Sequence, residues 1–312
     1  LVMLSILFGM SPAKALASEQ SHDDQARYQE EENGEWLYAD LDGALANVYA
    51  GGRVEILQDI NLDHCLTITK DVTLVSKDSE HPFTLMDQTK NRSDFLLQIS
   101  SAQVVLEDII LDGGFQIGVV SKAELVGVTN KANLVMERGA VIQNNHNIDT
   151  ALGAGGLRVI KDSTVTMKEG ALIQHCQALA GGGVAISGAQ SQLVLNGGRI
   201  ERNQAFIGGA IFIQEKGILR LNDGSIAHNE AKKEIDGLTF GFGYTKGQGG
   251  GIYVGSGYVY MFGGSIQRNH AESSGGGIGV NAGVLQLAGG SISHNTSLSY
   301  GGGVMGSPNA NI

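Results

Sequence analysis

Apolar and polar positions alternate along most of this chain, and from about residue 134 the alternation recurs as a unit. Val184 and Ile186, Leu193 and Leu195, and then Ile200 are followed by Ile211 and Ile213, Leu219 and Leu221, and Ile226. Each unit predicts three short strands with one buried face. A helix would need apolar spacing near about 3.6 residues, and the units are too rich in glycine and β-branched residues to supply it.

The period is fixed by a second pattern. An aliphatic residue is followed three positions later by a small polar one at Ile142/Asn145, Ile173/Cys176, Ile200/Asn203, Ile226/Asn229, Ile266/Asn269 and Ile292/Asn295, in steps of 31, 27, 26, 40 and 26 residues. Small-residue clusters at Gly156, Gly183, Ala210, Gly251, Gly277 and Gly303 keep nearly the same time. Two features sharing one period predict an all-β chain folded as a right-handed parallel β-helix, or solenoid, whose equivalent strands pair coil upon coil at ~4.8 Å.

In that architecture Asn145, Cys176, Asn203, Asn229, Asn269 and Asn295 form a structural ladder, because a buried amide at a turn must hydrogen-bond backbone groups or its own equivalents one coil away. Glycine runs such as 181–183 and 275–277 allow positive φ and close approach between coils.

The ends read differently. Leu1 to Gly9 is apolar, and Ala15-Leu16-Ala17 is a small-x-small cleavage site, so residues 1–17 are expected to be a secretory signal peptide, too short to span a membrane. Residues 18–36 are expected to be a solvated acidic leader. Leu37, Leu41, Leu45 and Val48 recur at helical spacing before Gly51-Gly52, predicting a short N-terminal capping helix over the open end of the first coil.

Residues 37–312 are expected to form a single β-helix domain, with irregular coils over 37–130 and regular repeats over 131–312. Early strands are expected at 54–57, 66–68, 72–75, 83–85, 95–99 and 104–106. The start without an initiator Met and the end inside a coil begun at Gly301 are read as a fragment of a longer surface protein, truncated at the C-terminus, with an anchor or a catalytic domain beyond Ile312.

A net charge of −11 and a pI near 5.1 exclude nucleic acid and anionic membrane as partners on charge grounds. Cys65 and Cys176 are expected four coils apart, beyond disulfide reach, with Cys176 a buried thiol. No cofactor or metal site is expected.

Gly208-Gly209-Ala210-Ile211, coupled to tetrads such as Ile226-Ala227-His228-Asn229, resembles the repeat signature of the chlamydial polymorphic membrane proteins. The unit from Gly275 to Asn295 is similar to β-helix repeats of large surface proteins of gut and oral bacteria. The resemblance covers roughly residues 130–312. The chlamydial repeats favour Phe where this chain has Ile, so the second group is nearer. It implies a bacterial protein, secreted or displayed at the cell surface, that serves adhesion or scaffolding, with a polysaccharide or a host or bacterial surface protein as partner.

Polysaccharide lyases and glycoside hydrolases of the pectin-lyase-like kind also use this scaffold, so the chemistry must be sought in side chains. Glycoside hydrolysis needs two carboxyl groups on one face. The acids after residue 151 scatter over the repeat, and Glu201 has Gln174 and Ala227 at the matching positions of the neighbouring coils. A calcium-dependent lyase would need clustered Asp ligands beside a base, and none is evident. Asp112, before Gly113-Gly114, is read as a turn residue. The expectation is therefore a non-catalytic adhesin or rigid rod, with an enzyme of that fold as the alternative.

Two sets of residues are candidates for ligand binding. Two positions after each aliphatic anchor stand Asn144, His175, Arg202, His228, Arg268 and His294, an outward strip suited to acidic glycans or polymers in a pH-dependent manner. A 14-residue insertion after Asn229 carries Phe240, Phe242 and Tyr244, and the next strand should turn Tyr258 and Tyr260 outward beside it, as platforms for sugar faces or a protein partner.

Overall fold

The computed structural model describes residues 23–89, 92–115, 118–149, 152–235 and 246–312. The expected signal peptide and the aromatic trio Phe240, Phe242 and Tyr244 lie outside the described residues.

The chain is a parallel β-solenoid of about nine turns with one short helix near its N-terminus. Three aliphatic columns build it. One runs Ile60, Leu85, Leu111, Ile142, Ile173, Ile200, Ile226, Ile266 and Ile292 in unbroken register, so the anchor column read from Ile142 onward extends three coils further toward the N-terminus. A second runs Leu66, Leu97, Val126, Leu157, Val184, Ile211, Ile252, Ile278 and Val304. The third includes Val104, Leu134, Val165, Leu193, Leu219, Val259 and Leu285. Their inward side chains merge into one continuous core, the arrangement expected when each repeat can bury its apolar face only against its neighbours.

Glycine permits the sharpest corners. Gly197 (φ 118°) and Gly224 (φ 101°) let the first two strands of their coils run on as the ten-residue strands Gln192–Glu201 and Ile218–Ala227, with a bulge at each corner. At Gly182 a Cβ would stand 2.4 Å from the carbonyl oxygen of Gly209, one coil on, so a side chain there would push the coils apart.

The N-terminal end differs from the expected leader and helix. Ala26–Tyr28 is a strand, β1, pairing antiparallel with β2 (Leu37–Ala39) and with β3 (Gly52–Ile56). Ala26 and Tyr28 are buried. Arg27, the one base of the acidic segment, lies over the Trp36 ring at 4.5 Å and bonds Glu55 at 2.5 Å. Part of the segment read as solvated is thus a cap strand, which composition hid because only its two inward residues are apolar.

The helix, α1, spans Leu41–Asn47 and not Leu37 onward: Asp40 caps its start by accepting from the Gly43 N–H at 2.7 Å. Leu41 and Ala44 pack into the core, and Lys70 Nζ donates to the carbonyls of Ala46 and Val48. Antiparallel β1 and the helix together close the edge that the first coil would expose.

The strand at 66–68 falls where the alternation predicts, and the others shift by one or two residues at their ends. Ile60–Leu62 was not expected, because two apolar residues around Asn61 give too short a pattern. Cys65 and Cys176 are free thiols.

Candidate functional site

At the end of each anchor strand from Ile142 onward the chain leaves the sheet through one residue in the left-handed conformation, and the next residue turns inward. The φ angles are 57° at Asn144, 53° at His175, 55° at Arg202, 57° at His228, 53° at Arg268 and 55° at His294. The left-handed turn makes the outward strip and the inward ladder two sides of one device.

On the inner side, each ladder Asn is held by its neighbours. Asn229 Oδ1 accepts from the backbone N–H of Asn203 (3.0 Å) and from its Nδ2 (3.1 Å). Asn269 does the same for Asn229, and Asn295 for Asn269. Each Nδ2 also donates to the anchor carbonyl of the preceding coil, as Asn229 does to Ile200 at 2.9 Å. The amides satisfy buried groups that the turn would otherwise orphan.

Cys176 takes part with its backbone only: its N–H donates to Asn203 Oδ1 at 3.0 Å, while its thiol donates to the Gln174 carbonyl. Burial pushes that thiol up to about 12, against the pull of the Asn145 backbone N–H. The amide chain stops there. Asn145 Oδ1 instead accepts from Ser121 Oγ (3.0 Å) and Arg92 Nη2 (3.4 Å), and its Nδ2 bonds the carbonyls of Ala123 and Gly155. Arg92 in turn pairs with Asp87 at 2.6 Å, both buried. The ladder therefore ends on a buried ion pair. Nothing in the residue pattern flags Arg92, which lies between anchors in a stretch without repeat.

On the outer side, His175, Arg202, His228, Arg268 and His294 are exposed, whereas Asn144 is buried with its Nδ2 on Asp112 Oδ2. The preceding residues Gln174, Glu201, Ala227, Gln267 and Ser293 are paired in register, so the five exposed residues form a column along the solenoid axis. Glu201 is engaged by Arg202 at 2.5 Å and by Arg199 at 3.8 Å.

Val259 and Met261 point inward and Tyr258 and Tyr260 outward, half-buried. The two rings are parallel, 6.3 Å between centroids, and Arg220 from the preceding coil lies over Tyr260 at 5.1 Å. This is a small aromatic and cationic platform on one sheet face, separate from the turn column.

Among the described residues, neither Glu201 nor Asp112 is paired with a second carboxylate at the matching position. Glu201 is matched by Gln174 and Ala227. Asp112 accepts from the Gly114 N–H, Gln143 and Asn144, and so is consumed in the turn. Among the described residues no three His, Cys, Asp or Glu side chains converge on a point that could hold a metal, and no helix is long and apolar enough to cross a membrane. A groove of about 500 Å³ between α1 and the strand Leu66–Ile68 is lined by Leu45, Thr67, Thr69, Asp42 and Lys70 among others. Its lysine is committed to the helix carbonyls.

Comparison with protein-family models, with curated proteins and with solved structures finds no match.

Proposed function

We propose that this chain is a non-catalytic rod of a secreted or surface-displayed bacterial protein, of the adhesin kind that its repeats resemble, which holds outward side chains in fixed columns for a polysaccharide or a surface protein. The observation that carries this reading is the register. Side chains one coil apart stay aligned over about nine turns, so any outward residue type repeated in sequence becomes a linear array on a stiff support.

Tyr258, Tyr260 and Arg220 supply one binding face of this kind, since parallel rings with a cation alongside suit the apolar faces of sugars. The test is to incubate the chain with plant, host and bacterial polysaccharides, with and without calcium, measuring retention and new reducing ends together. Retention without cleavage supports the rod. Cleavage of any polymer replaces it with an enzyme of the pectin-lyase-like kind.

A further inference from the structure

The turn column combines three properties that its fold does not require together. Its residues hold φ between 53° and 57°, a region where glycine, Asn and Asp are at least cost and long side chains are uncommon. At Arg202 and Arg268 the chain nevertheless places guanidinium groups there, and at His175, His228 and His294 imidazoles. All five are exposed, and none is a carboxylate, in a chain of net charge −11. Long side chains take a similar φ at Lys131, Lys161, Glu215 and Lys216 as well, so what sets the column apart is its alignment, its exposure and its lack of a carboxylate.

We propose that this column binds a linear polyuronate, an acidic polysaccharide with one carboxylate per sugar, laid along the solenoid axis. Successive column residues are one coil apart, ~4.8 Å, so five of them span roughly 19 Å and offer one donor per coil to one carboxylate per sugar. The guanidinium groups pair with carboxylates in fork geometry. Imidazoles alternate with them and offer ring N–H donors to the same polymer.

The charged groups around the column do not cancel it. Glu201, on the strand entering the turn, pairs with Arg202 of the column and with Arg199 beside it, so it offsets one of the three guanidinium groups Arg199, Arg202 and Arg268. On the strands leaving it, Glu230 pairs with Lys232 at 3.2 Å, Glu272 accepts from the backbone N–H of Lys233 at 2.6 Å, and His270 bonds Thr296 Oγ1 at 2.8 Å. A nucleic acid fits less well. Its charge is denser than one per coil, and the column holds no Phe, Tyr or Trp on which bases could stack.

The inference rests on the rod reading and can fail independently of it. Binding of the whole chain to alginate is measured at pH 7.5, with dextran of similar length and inorganic polyphosphate as comparators. Alginate is expected to bind and to be released by salt, with dextran not held.

Arg202→Asn with Arg268→Asn is expected to weaken binding roughly tenfold. His175→Asn, His228→Asn and His294→Asn together remove the imidazole donors beside the guanidinium groups and should weaken binding by a smaller factor, about threefold. Asn suits the left-handed turn, so these variants keep the fold, which thermal unfolding verifies. Equal binding of dextran, preference for polyphosphate over alginate, or alginate binding indifferent to both sets of substitutions overturns the proposal. New reducing ends on alginate would instead overturn the rod reading.

Discussion

Asn229 holds Asn203 twice through a single atom: its Oδ1 accepts both the backbone N–H of Asn203 at 3.0 Å and the Asn203 amide at 3.1 Å, while its own Nδ2 satisfies the carbonyls of Ile200 and Ala227. Asn229→Ala therefore leaves buried donors and acceptors on two coils without partners. The cost should be about 1–3 kcal/mol, read as a lower midpoint in denaturant or heat. A midpoint equal to the parent's would mean that the ladder is not what holds these turns.

Cys176 is the gap in that ladder. Asn203 stands beside Gly183 in the way that Cys176 stands beside Gly156, so Cys176→Asn has room to extend the amide chain toward Asn145. A gain of about 1 kcal/mol is expected, the net value of an added hydrogen bond. In the parent, the buried thiol should resist alkylation until the chain unfolds. Its raised folded value also fixes the sign of a pH effect: it adds stability below the ordinary thiol value of 9.0, and that contribution is lost as pH rises from there toward about 12.

Removing Asp87 should be more damaging than removing any ladder amide. Arg92 is then left buried with only carbonyl and amide partners, and breaking one side of a buried pair costs about 3–5 kcal/mol. Equilibrium unfolding of Asp87→Ala measures this, and a loss below that of Asn229→Ala would contradict the placement of the pair at the foot of the ladder.

The cap has a pH-sensitive tie. His64 bonds Asp63 at 2.8 Å and Asp42, in the first turn of α1, at 3.0 Å; the Asp63 bond first and the Asp42 bond second raise its affinity for a proton above the ordinary 6.5. A raised folded value means that the contribution is fully present below about pH 6.5 and is lost as the pH rises through the higher folded value. All three groups are largely exposed, so the effect is local. Amide exchange in α1 should quicken between pH 6 and pH 8 beyond its intrinsic pH dependence, and His64→Gln should remove that excess.

Much of the solenoid was legible because its signal is repetition. The anchors from Ile142 to Ile292 stack in the order in which they occur, and Gln174 and Ala227 flank Glu201 as spacing alone requires. What escaped lacked a period. Strand β1 hides in an acidic stretch because two inward residues are enough to seat it, and Arg92 meets Asn145 across two coils, a contact that no local pattern encodes.

The turn column was legible as a set of positions but not as a conformation. His, Arg and Asn share no hydrophobic pattern, and only the backbone shows that all six residues adopt one left-handed turn.

The central claim is that the rod holds polymer without cutting it, and polymer length tests it most directly. Alginate and the other retained polysaccharides are incubated with the chain for a prolonged period, eluted and sized by chromatography. The account predicts a length distribution identical to that of untreated polymer at every time point; a progressive shortening that depends on the amount of protein would contradict it.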